Sequence, residues 1–233
     1  MTHKQNDYKQ LAAQAAVEYV QDGMLIGLGH GSTVQFALES LAARIKSGKL
    51  SKISAIPCSK ATEQEALRLG IPISDFEFNH SIDLTIDGAD EIDPEFNLIK
   101  GGGGALLREK LVAQESRREI IIADSSKLSA ILGSTFKLPI EIAPFGWERQ
   151  IAYIDRIGGE AIPRKQDNDE FVLSDQGNYL LDCDFGPISN PSELSTKLES
   201  RAGILEHGLF IGLASDVIIA GPEGVSNQVV PTS

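Results

Sequence analysis

Cysteine is scarce in this sequence, and closely spaced metal ligands are scarce with it. The 233 residues include only two cysteines, Cys58 and Cys183, and neither belongs to a CxxC pair or to a Cys/His ligand spacing. Disulfide-stapled domains and structural zinc sites need several such residues at short, regular intervals. The sequence therefore argues against a disulfide framework and against a metal site, and it favours a reducing cytoplasm.

Long apolar runs and an excess of positive charge are lacking as well. No apolar run approaches the ~20 residues of a membrane-spanning helix, and the first ten residues, MTHKQNDYKQ, lack the apolar core of a targeting signal. Acidic residues outnumber basic ones by 33 to 21, for a formal net charge of −12. General nucleic-acid and anionic-membrane binders carry the opposite charge. We therefore expect a cytoplasmic protein without nucleic-acid or membrane partners, in which an anionic ligand would need a local basic pocket.

Strand-like and helix-like apolar segments alternate in the first half of the chain. With 42% hydrophobic residues, the chain can bury a substantial core. The predicted strands are 24–28, 53–57, 82–86 and 119–123, and the predicted helices are 5–21, one after residue 33, 60–69 and 105–115. Helices between successive buried strands are typical of parallel sheets. The predicted fold class is α/β, with a Rossmann-like, mostly parallel sheet flanked by helices.

The pattern changes near Gly133. The segments predict, in order, a strand over 137–143, a helix over 146–157, a hairpin over 170–184 and a helix that begins at Asn190 and ends at Gly203. This order breaks the alternation, so we expect a smaller α+β domain over 133–204, inserted into a Rossmann-like catalytic domain of 1–132 plus 205–233. Residues 205–220 are expected to return strands to the main sheet. The polar tail from Pro222 is expected to be frayed.

Residues 85–110, TIDGADEIDPEFNLIKGGGGALLREK, concentrate side chains suited to acid/base chemistry. A buried strand ends in the acidic turn Asp87-Gly88-Ala89-Asp90-Glu91, and ligands of open α/β sheets bind outside the carboxyl ends of strands. Lys100 and four glycines, Gly101–Gly104, then lead into a helix that carries Glu109. Glycine backbone at a helix start suits an anion, because its N–H groups can approach closely and share the positive end of the helix dipole. These residues predict an acid/base enzyme for a small phosphorylated or anionic substrate.

A second glycine-containing turn, Gly29-His30-Gly31-Ser32-Thr33, follows the first predicted strand. It matches neither the GxGxxG nor the Walker pattern, so no dinucleotide cofactor is predicted. Its small hydroxylated residues either cap the next helix or hold a sugar phosphate. Four further residues have two interpretations each: Lys9 and Lys127 are solvated lysines or substrate ligands, Cys58 is a buried residue or a nucleophile, and His207 is structural or catalytic.

The runs DGADEID and KGGGGALLREK, at this spacing, closely resemble the type A ribose-5-phosphate isomerase family, and GHGST, ADSSK, DQGNYLLDC and EHGLF extend the resemblance along nearly the whole chain. The resemblance implies an aldose–ketose isomerase of the pentose phosphate pathway that acts on ribose 5-phosphate through an enediol and needs no cofactor. It implies Glu109 as the base, Asp87 as its acid/base partner at the sugar oxygens and Lys100 as the stabiliser of the enediolate. It also implies a homodimer or a homotetramer.

The resemblance further implies a set of substrate-binding residues. They are Lys9, His30, Gly31, Ser32, Thr33, Asp87, Gly88, Ala89, Asp90, Lys100, Gly101, Gly102, Gly103 and Lys127. Asp90 would orient the sugar hydroxyls, and either glycine-containing turn could hold the phosphate. His30 stands where the family's GTGST segment has a threonine, so a titratable ring replaces a small hydroxyl.

Two other classes of protein have a similar kind of fold. A sugar-phosphate-sensing regulatory module would bind its ligand without turnover. The sequence argues against it, because only one helix precedes the first strand and because both Lys100 and Glu109 are present. A related acyl-CoA transferase or amino-sugar isomerase is the second alternative, and the combined DGADE and KGGGGALLREK signature argues against it.

Overall fold

The computed structural model describes residues 3–76 and 81–230. The chain forms two compact units. Unit 1 comprises Met1–Ala89, Arg108–Lys127 and Leu213–Ser233, and unit 2 comprises Asp90–Leu107 and Leu128–Gly212. The inserted domain predicted at 133–204 lies entirely within unit 2. Unit 2 also takes in Asp90–Leu107 and the short segments that flank 133–204.

In chain order, the helices of the described residues are α1 (His3–Val17), α2 (Ser32–Lys46), α3 (Lys60–Leu69), α4 (Leu106–Gln114), α5 (Trp147–Arg156) and α6 (Pro191–Glu199). The strands are β1 (Leu25–Leu28), β2 (Ser54–Pro57), β3 (Leu84–Gly88), β4 (Glu91–Ile92), β5 (Leu98–Ile99), β6 (Glu119–Asp124), β7 (Leu138–Ile142), β8 (Glu160–Pro163), β9 (Tyr179–Asp184), β10 (Ile204–His207), β11 (Leu209–Phe210), β12 (Asp216–Gly221) and β13 (Gly224–Val229). No helix in these residues is both long enough and apolar enough to cross a membrane.

Unit 1 contains a six-stranded sheet in the order β13-β12-β6-β3-β1-β2. All neighbouring strands pair in parallel except β12 and β13. Successive residues of β1 belong to different apolar clusters, since Ile26 packs with α1 and α2 whereas Leu25 packs with Val112 of α4. Because successive side chains of a strand point to opposite faces, the sheet is covered on both faces. The prediction of a mostly parallel, helix-flanked sheet is confirmed.

Helix α1 has a buried stripe of small residues, Ala12, Ala13, Ala16 and Val17, each with no exposed surface. This stripe belongs to the core that α1 shares with α2 and with the buried strands of the sheet. Lys9 lies about one turn before Ala12 and Ala13 on the same face, since residues three and four apart are neighbours on a helix. The apolar packing of α1 therefore carries the Lys9 side chain into a buried position.

Unit 2 combines a four-stranded antiparallel sheet, β10-β7-β9-β8, with a three-stranded one, β11-β5-β4. Helices α5 and α6 cover the first sheet, with Ile154 and Leu198 in a shared apolar core. Ile99 of β5 belongs to the same core, which is why Asp90–Leu107 folds with this unit. The unit has the α+β character predicted for the insertion.

Two predictions about the C-terminal third need correction. Of residues 205–220, only β12 joins the main sheet; β10 pairs with β7 and β11 pairs with β5 in unit 2, where Leu209 completes the apolar core. The segment after Pro222 is not frayed, because β13 pairs with β12 along six residues through a two-residue turn, Pro222-Glu223. The last three residues of the predicted tail lie outside the described residues.

Candidate active site

Asp87 lies at the carboxyl end of β3, in unit 1, and has no exposed surface. Its Oδ1 accepts hydrogen bonds from the backbone N–H of His30, at 3.0 Å, and of Gly88, at 2.7 Å. Gly29 permits this approach, because a Cβ at that position would lie 2.0 Å from Asp87 Oδ1. The turn after β1 therefore fixes the orientation of the Asp87 carboxylate.

A chain of side-chain hydrogen bonds anchors the turn that contains His30. The Thr62 hydroxyl donates to the carbonyl oxygen of Gly29, at 2.8 Å, so its oxygen must accept from Ser59 Oγ, at 2.9 Å. Ser59 has then used its only proton, and it must accept at its 2.9 Å contact with His30 Nδ1. His30 consequently carries a proton on Nδ1, and in the neutral ring Nε2 is the acceptor.

Lys9 and Lys127 form a basic cluster in unit 1: Lys9 Nζ lies at the start of α2, and the charge of Lys127 acts on Lys9. Lys9 Nζ donates to Ser32 Oγ at 2.9 Å, and Ser32 and Thr33 occupy the first turn of α2, behind Gly31 at φ +115°. Burial lowers the pKa of Lys9 below its ordinary value; the charge of Asp124 opposes this shift and that of Lys127 adds to it. A lysine at a helix N-terminus, with a second cation near that lysine, forms an anion-binding environment.

Glu109 lies in the first turn of α4 and is almost fully buried, with 3% of its surface exposed. Its neighbour Lys110 is buried as well, and Arg108 is half-buried. A carboxylate near a helix N-terminus interacts favourably with the helix dipole. On a surface helix with ion pairs, Glu109 would be exposed to solvent, whereas here it is buried.

Unit 2 holds the glycine-rich segment and its neighbours. Asp90 Oδ2 accepts from the N–H of Gly102 at 2.8 Å, and a Cβ at Gly102 would lie within 3 Å of both Asp90 oxygens. Gly101 and Gly104 have φ of +94° and +81°, which glycine adopts without strain, while Gly103 is exposed. Lys100 is buried, with Nζ 5.3 Å from the centre of the Phe210 ring.

The structure thus brings the predicted residues together in two sets. Unit 1 groups Lys9, Gly31, Ser32, Thr33 and Lys127, and it also groups His30, Asp87 and Gly88, with Ala89 next in the chain. Unit 2 groups Asp90 and Gly102, within the segment that runs from Lys100 through Gly101 and Gly103. That all of them bind one substrate stays a prediction. Within residues 3–76 and 81–230, no three His, Cys, Asp or Glu side chains form a group that could hold a metal ion.

Cys58 and His207, which have two interpretations each in the sequence, lie in structural surroundings, and so does Glu91. Cys58 is fully buried in an apolar cluster with Ile56 and Val112. His207 is buried as well; Nδ1 accepts from the N–H of Leu209 and Nε2 lies 3.2 Å from Ser195 Oγ. Glu91, the third acid of the turn, accepts from the backbone N–H groups of Gly133 and Thr135.

Sequence reasoning missed three residues that contact the site segments. Ser59 and Thr62 resemble an ordinary helix cap, and Ser59 does cap α3 by accepting from the N–H of Thr62. Arg164 contacts Gly101 and Gly102 of the glycine-rich segment in unit 2 from 63 and 62 residues further along the chain. A single arginine between the predicted helix of 146–157 and the predicted hairpin of 170–184 has no motif around it, so no local signal indicated this contact.

Buried carboxylates on segments that follow sheet strands, together with a basic helix N-terminus, are the features of an α/β enzyme that acts on an anionic substrate. The family model for ribose 5-phosphate isomerase A (phosphoriboisomerase A) matches residues 54–224. The chain belongs to this family of isomerases.

Individual relatives match over nearly the whole chain. Ribose-5-phosphate isomerase A of Chloroflexus aurantiacus is 51% identical over 225 residues, which cover 97% of this chain and 93% of that protein. The solved ribose 5-phosphate isomerase of Plasmodium falciparum is similar with a TM-score of 0.93 and 43% identity, covering 96% and 98% of the two chains. A solved D-ribose-5-phosphate isomerase in complex with phospho-erythronic acid has a TM-score of 0.92 and 34% identity, covering 95% and 97%.

Proposed function

We propose that the chain interconverts D-ribose 5-phosphate and D-ribulose 5-phosphate (EC 5.3.1.6) in the non-oxidative branch of the pentose phosphate pathway. The observation that carries the proposal is the burial of three ionisable side chains, Asp87, Lys100 and Glu109, within one 26-residue stretch of a chain from this family. Burying ionisable groups costs free energy, so three buried in one short stretch point to a functional use of that stretch.

In the proposed reaction Glu109 is the base. Its carboxylate removes the proton from C2 of the open-chain aldose, and the C–H electron pair forms the C1=C2 double bond while the carbonyl π electrons move to O1. Asp87 transfers a proton between O2 and O1, and Glu109 returns its proton to C1, so no proton is lost or gained. Lys100 stabilises the enediolate, and the cation–π contact with Phe210 supports a charged ammonium at that position.

We also propose that the phosphate group is held by the basic cluster of unit 1. Lys9 and Lys127 would supply the charge, and Gly31, Ser32 and Thr33 would supply backbone N–H and hydroxyl donors. The support is the 2.9 Å contact between Lys9 Nζ and Ser32 Oγ, together with the helix N-terminus beside it. This assigns the phosphate to the turn after β1 and leaves the glycine-rich segment of unit 2 for the sugar.

The remaining predicted residues would contact the sugar. Asp90 would orient its hydroxyls, with Gly88 and Ala89 beside them, and His30 would contribute an Nε2 acceptor in its neutral form. Gly101, Gly102 and Gly103 would present backbone groups. By family resemblance we further propose that the protein is cytoplasmic and forms a homodimer or a homotetramer. The mass of the purified protein, measured by analytical ultracentrifugation, distinguishes the dimer from the tetramer.

Proton NMR in D₂O tests the proposed function directly. We expect the purified, metal-stripped protein to convert ribose 5-phosphate to ribulose 5-phosphate with deuterium entering at the exchanging carbon, because the proton on Glu109 can exchange with solvent. The Glu109→Gln variant should lose turnover by about 10²-fold or more while still binding ribose 5-phosphate, since the amide keeps the shape and lacks the base.

The matched control is Glu115→Gln, a carboxylate just beyond the end of the same helix. Near-normal turnover in a folded Glu109→Gln protein would remove Glu109 from the mechanism. Saturable binding of ribose 5-phosphate to the unmodified protein, without turnover or exchange, would instead favour a sugar-phosphate-sensing module.

A further inference from the structure

Arg164 lies against the glycine-rich segment of unit 2 on the carbonyl side of its peptide groups. Its Nη1 donates to the carbonyl oxygen of Gly102 at 3.0 Å and is 3.4 Å from that of Gly101. Its other two nitrogens, Nε and Nη2, donate to the two oxygens of Asp182 at 3.0 and 2.5 Å. The guanidinium therefore contacts a carboxylate and a peptide turn at once, which the single ammonium of a lysine cannot match.

The strands of unit 2 hold Arg164 in this position. Arg164 follows β8 directly, and its backbone N–H donates to the carbonyl oxygen of Leu180 at 2.8 Å. Asp182 lies on the paired strand β9, opposite Ile162. Because residues two apart in a strand share a face, Arg164 and Asp182 are diagonal neighbours. The side chain of Arg164 is only 18% exposed, so the ion pair is partly shielded from water.

The contact fixes the direction of two N–H groups. In a trans peptide the C=O and the N–H point in opposite directions, so the carbonyls of Gly101 and Gly102 direct the N–H groups of Gly102 and Gly103 away from Arg164. The N–H of Gly102 donates to Asp90, a predicted sugar ligand. The N–H of Gly103 belongs to an exposed residue of the predicted substrate-binding segment. A cation on the carbonyl side also polarises each peptide group and strengthens its N–H as a donor.

We propose that Arg164 is a positioning residue for the isomerase reaction. Held in place by Asp182, it fixes the peptide groups between Gly101 and Gly103 so that the N–H of Gly102 orients Asp90 and the N–H of Gly103 stabilises negative charge on the reacting sugar. The inference rests on the proposed function. It adds a role for Arg164 and Asp182, to neither of which the family resemblance assigns a function.

Steady-state kinetics with ribose 5-phosphate test the proposal. We expect Arg164→Met to lower kcat by about 10-fold to 100-fold, the range found for partners that orient groups in direct contact with the reaction. KM should change much less, because the phosphate contacts lie elsewhere. The kcat of Arg164→Lys should lie between those of the unmodified protein and Arg164→Met, because lysine keeps the positive charge but cannot make the paired hydrogen bonds of a guanidinium. Lys165→Met is the matched control, because Lys165 is the next residue and forms an exposed ion pair with Asp169.

A purely structural role would give a different result. Arg164→Met would then lower the melting temperature and leave kcat unchanged, and that outcome overturns the proposal. If Arg164→Met does not fold, Asp182→Asn is the alternative variant. It keeps the size of the side chain and weakens the ion pair with Arg164, so we expect a smaller fall in kcat. A folded Asp182→Asn protein with unchanged kcat likewise contradicts the proposal.

Amide NMR separates this proposal from the proposed function. We expect the amide signals of Gly102 and Gly103 to shift in Arg164→Met and to stay in place in Lys165→Met. An unmodified protein without turnover would contradict the proposed function, whereas turnover with unmoved glycine amides in Arg164→Met would contradict only the role of Arg164.

Discussion

Four ionisable residues of the candidate site are nearly inaccessible to water: Lys9 is 5% exposed, Asp87 0%, Lys100 1% and Glu109 3%. Burial of a charge costs several kcal/mol unless polar partners compensate for it. Hydrogen bonds supply part of this compensation: Lys9 donates to Ser32, and Asp87 accepts from two backbone N–H groups. Stability alone gives no reason to bury these groups. We therefore expect the site residues to reduce the stability of the fold.

Lys9→Met tests this expectation. Burial is the largest influence on the Lys9 pKa and lowers it below 10.5. Below its folded pKa, a charged and partly desolvated Lys9 reduces stability, and this cost is lost as pH rises through that pKa towards 10.5. Near neutral pH, Lys9→Met should therefore raise the melting temperature, and the difference should shrink in alkaline buffer. KM for ribose 5-phosphate should rise by about 10-fold or more, because a charge-assisted hydrogen bond to phosphate contributes about 1.5–3 kcal/mol.

Lys4→Met is the control for that experiment, because Lys4 is an exposed lysine on the same helix. We expect it to change neither the melting temperature nor KM. A Lys9→Met protein that melts lower than the unmodified protein at neutral pH would contradict the sign of the burial effect. An unchanged KM would remove Lys9 from the proposed phosphate site.

At the scale of elements, one turn connects α3 to the acid/base candidate Asp87. Ser59 caps α3, contacts His30 Nδ1 and donates to Thr62, which in turn donates to the carbonyl oxygen of Gly29. The next N–H in the chain, that of His30, donates to Asp87. The start of α3 thus holds the turn after β1 from one side, while Asp87 holds it from the other.

Thr62→Val tests the donor and acceptor roles in this series of hydrogen bonds. Valine has nearly the shape of threonine but cannot accept the Ser59 proton, so the Ser59 hydroxyl should turn and donate to His30 Nδ1. The neutral ring should then carry its proton on Nε2 instead of Nδ1. Long-range ¹H–¹⁵N spectra distinguish the two tautomers, and a His30→Gln variant identifies the ring among the four histidines of the sequence. The same His30 tautomer in the unmodified protein and in Thr62→Val would contradict the hydrogen-bond directions from His30 to Ser59 and from Ser59 to Thr62.

The elements that could be predicted from the sequence are those with a strong local pattern. Strand β6 was expected at 119–123 and α3 at 60–69, because a fully buried strand is a continuous apolar run and an amphipathic helix has a clear period. Strand β13 has the polar sequence GVSNQV and exposed side chains, so its pairing with β12 had no apolar signal. The partner of β10 depended on which core was nearest in space, which no local pattern encodes.

The candidate site divides in the same way. Asp87, Lys100 and Glu109 lie in one dense motif, and the sequence alone singled them out. Ser59, Thr62 and Arg164 contact the motif segments from distant positions, and each has a common residue type in an ordinary setting. Contacts of this kind depend on the tertiary fold, so the sequence of a single chain does not indicate them.

For the whole molecule, the formal net charge of −12 opposes a phosphorylated substrate at long range. Ionic strength screens such repulsion beyond about 8 Å at physiological salt. Binding then depends on the charges close to the phosphate, and in the proposed site the basic cluster of Lys9 and Lys127 supplies them. The bulk composition and the proposed substrate are therefore compatible.

The final β-hairpin closes one edge of the six-stranded sheet. Strand β12 is buried along its length, with Val217 and Ile218 each 1% exposed, and β13 supplies its outer neighbour. Asn227 of β13 also donates to the hydroxyl of Tyr19 at 2.6 Å. Without β13, an apolar strand would present a row of unpaired N–H and C=O groups to solvent, which is a template for pairing with other chains.

A chain shortened to end at Gly221 should therefore melt at a lower temperature and aggregate on heating, as measured by circular dichroism and light scattering. The control ends at Val230 and loses only the last three residues, so it retains β13 and should behave like the full chain. Equal melting temperatures for the two shortened chains would show that β13 contributes nothing to the sheet. Because β13 buries few side chains, a large fall in the melting temperature of the chain that ends at Gly221 would have to come from the loss of backbone hydrogen bonds and from the exposure of β12.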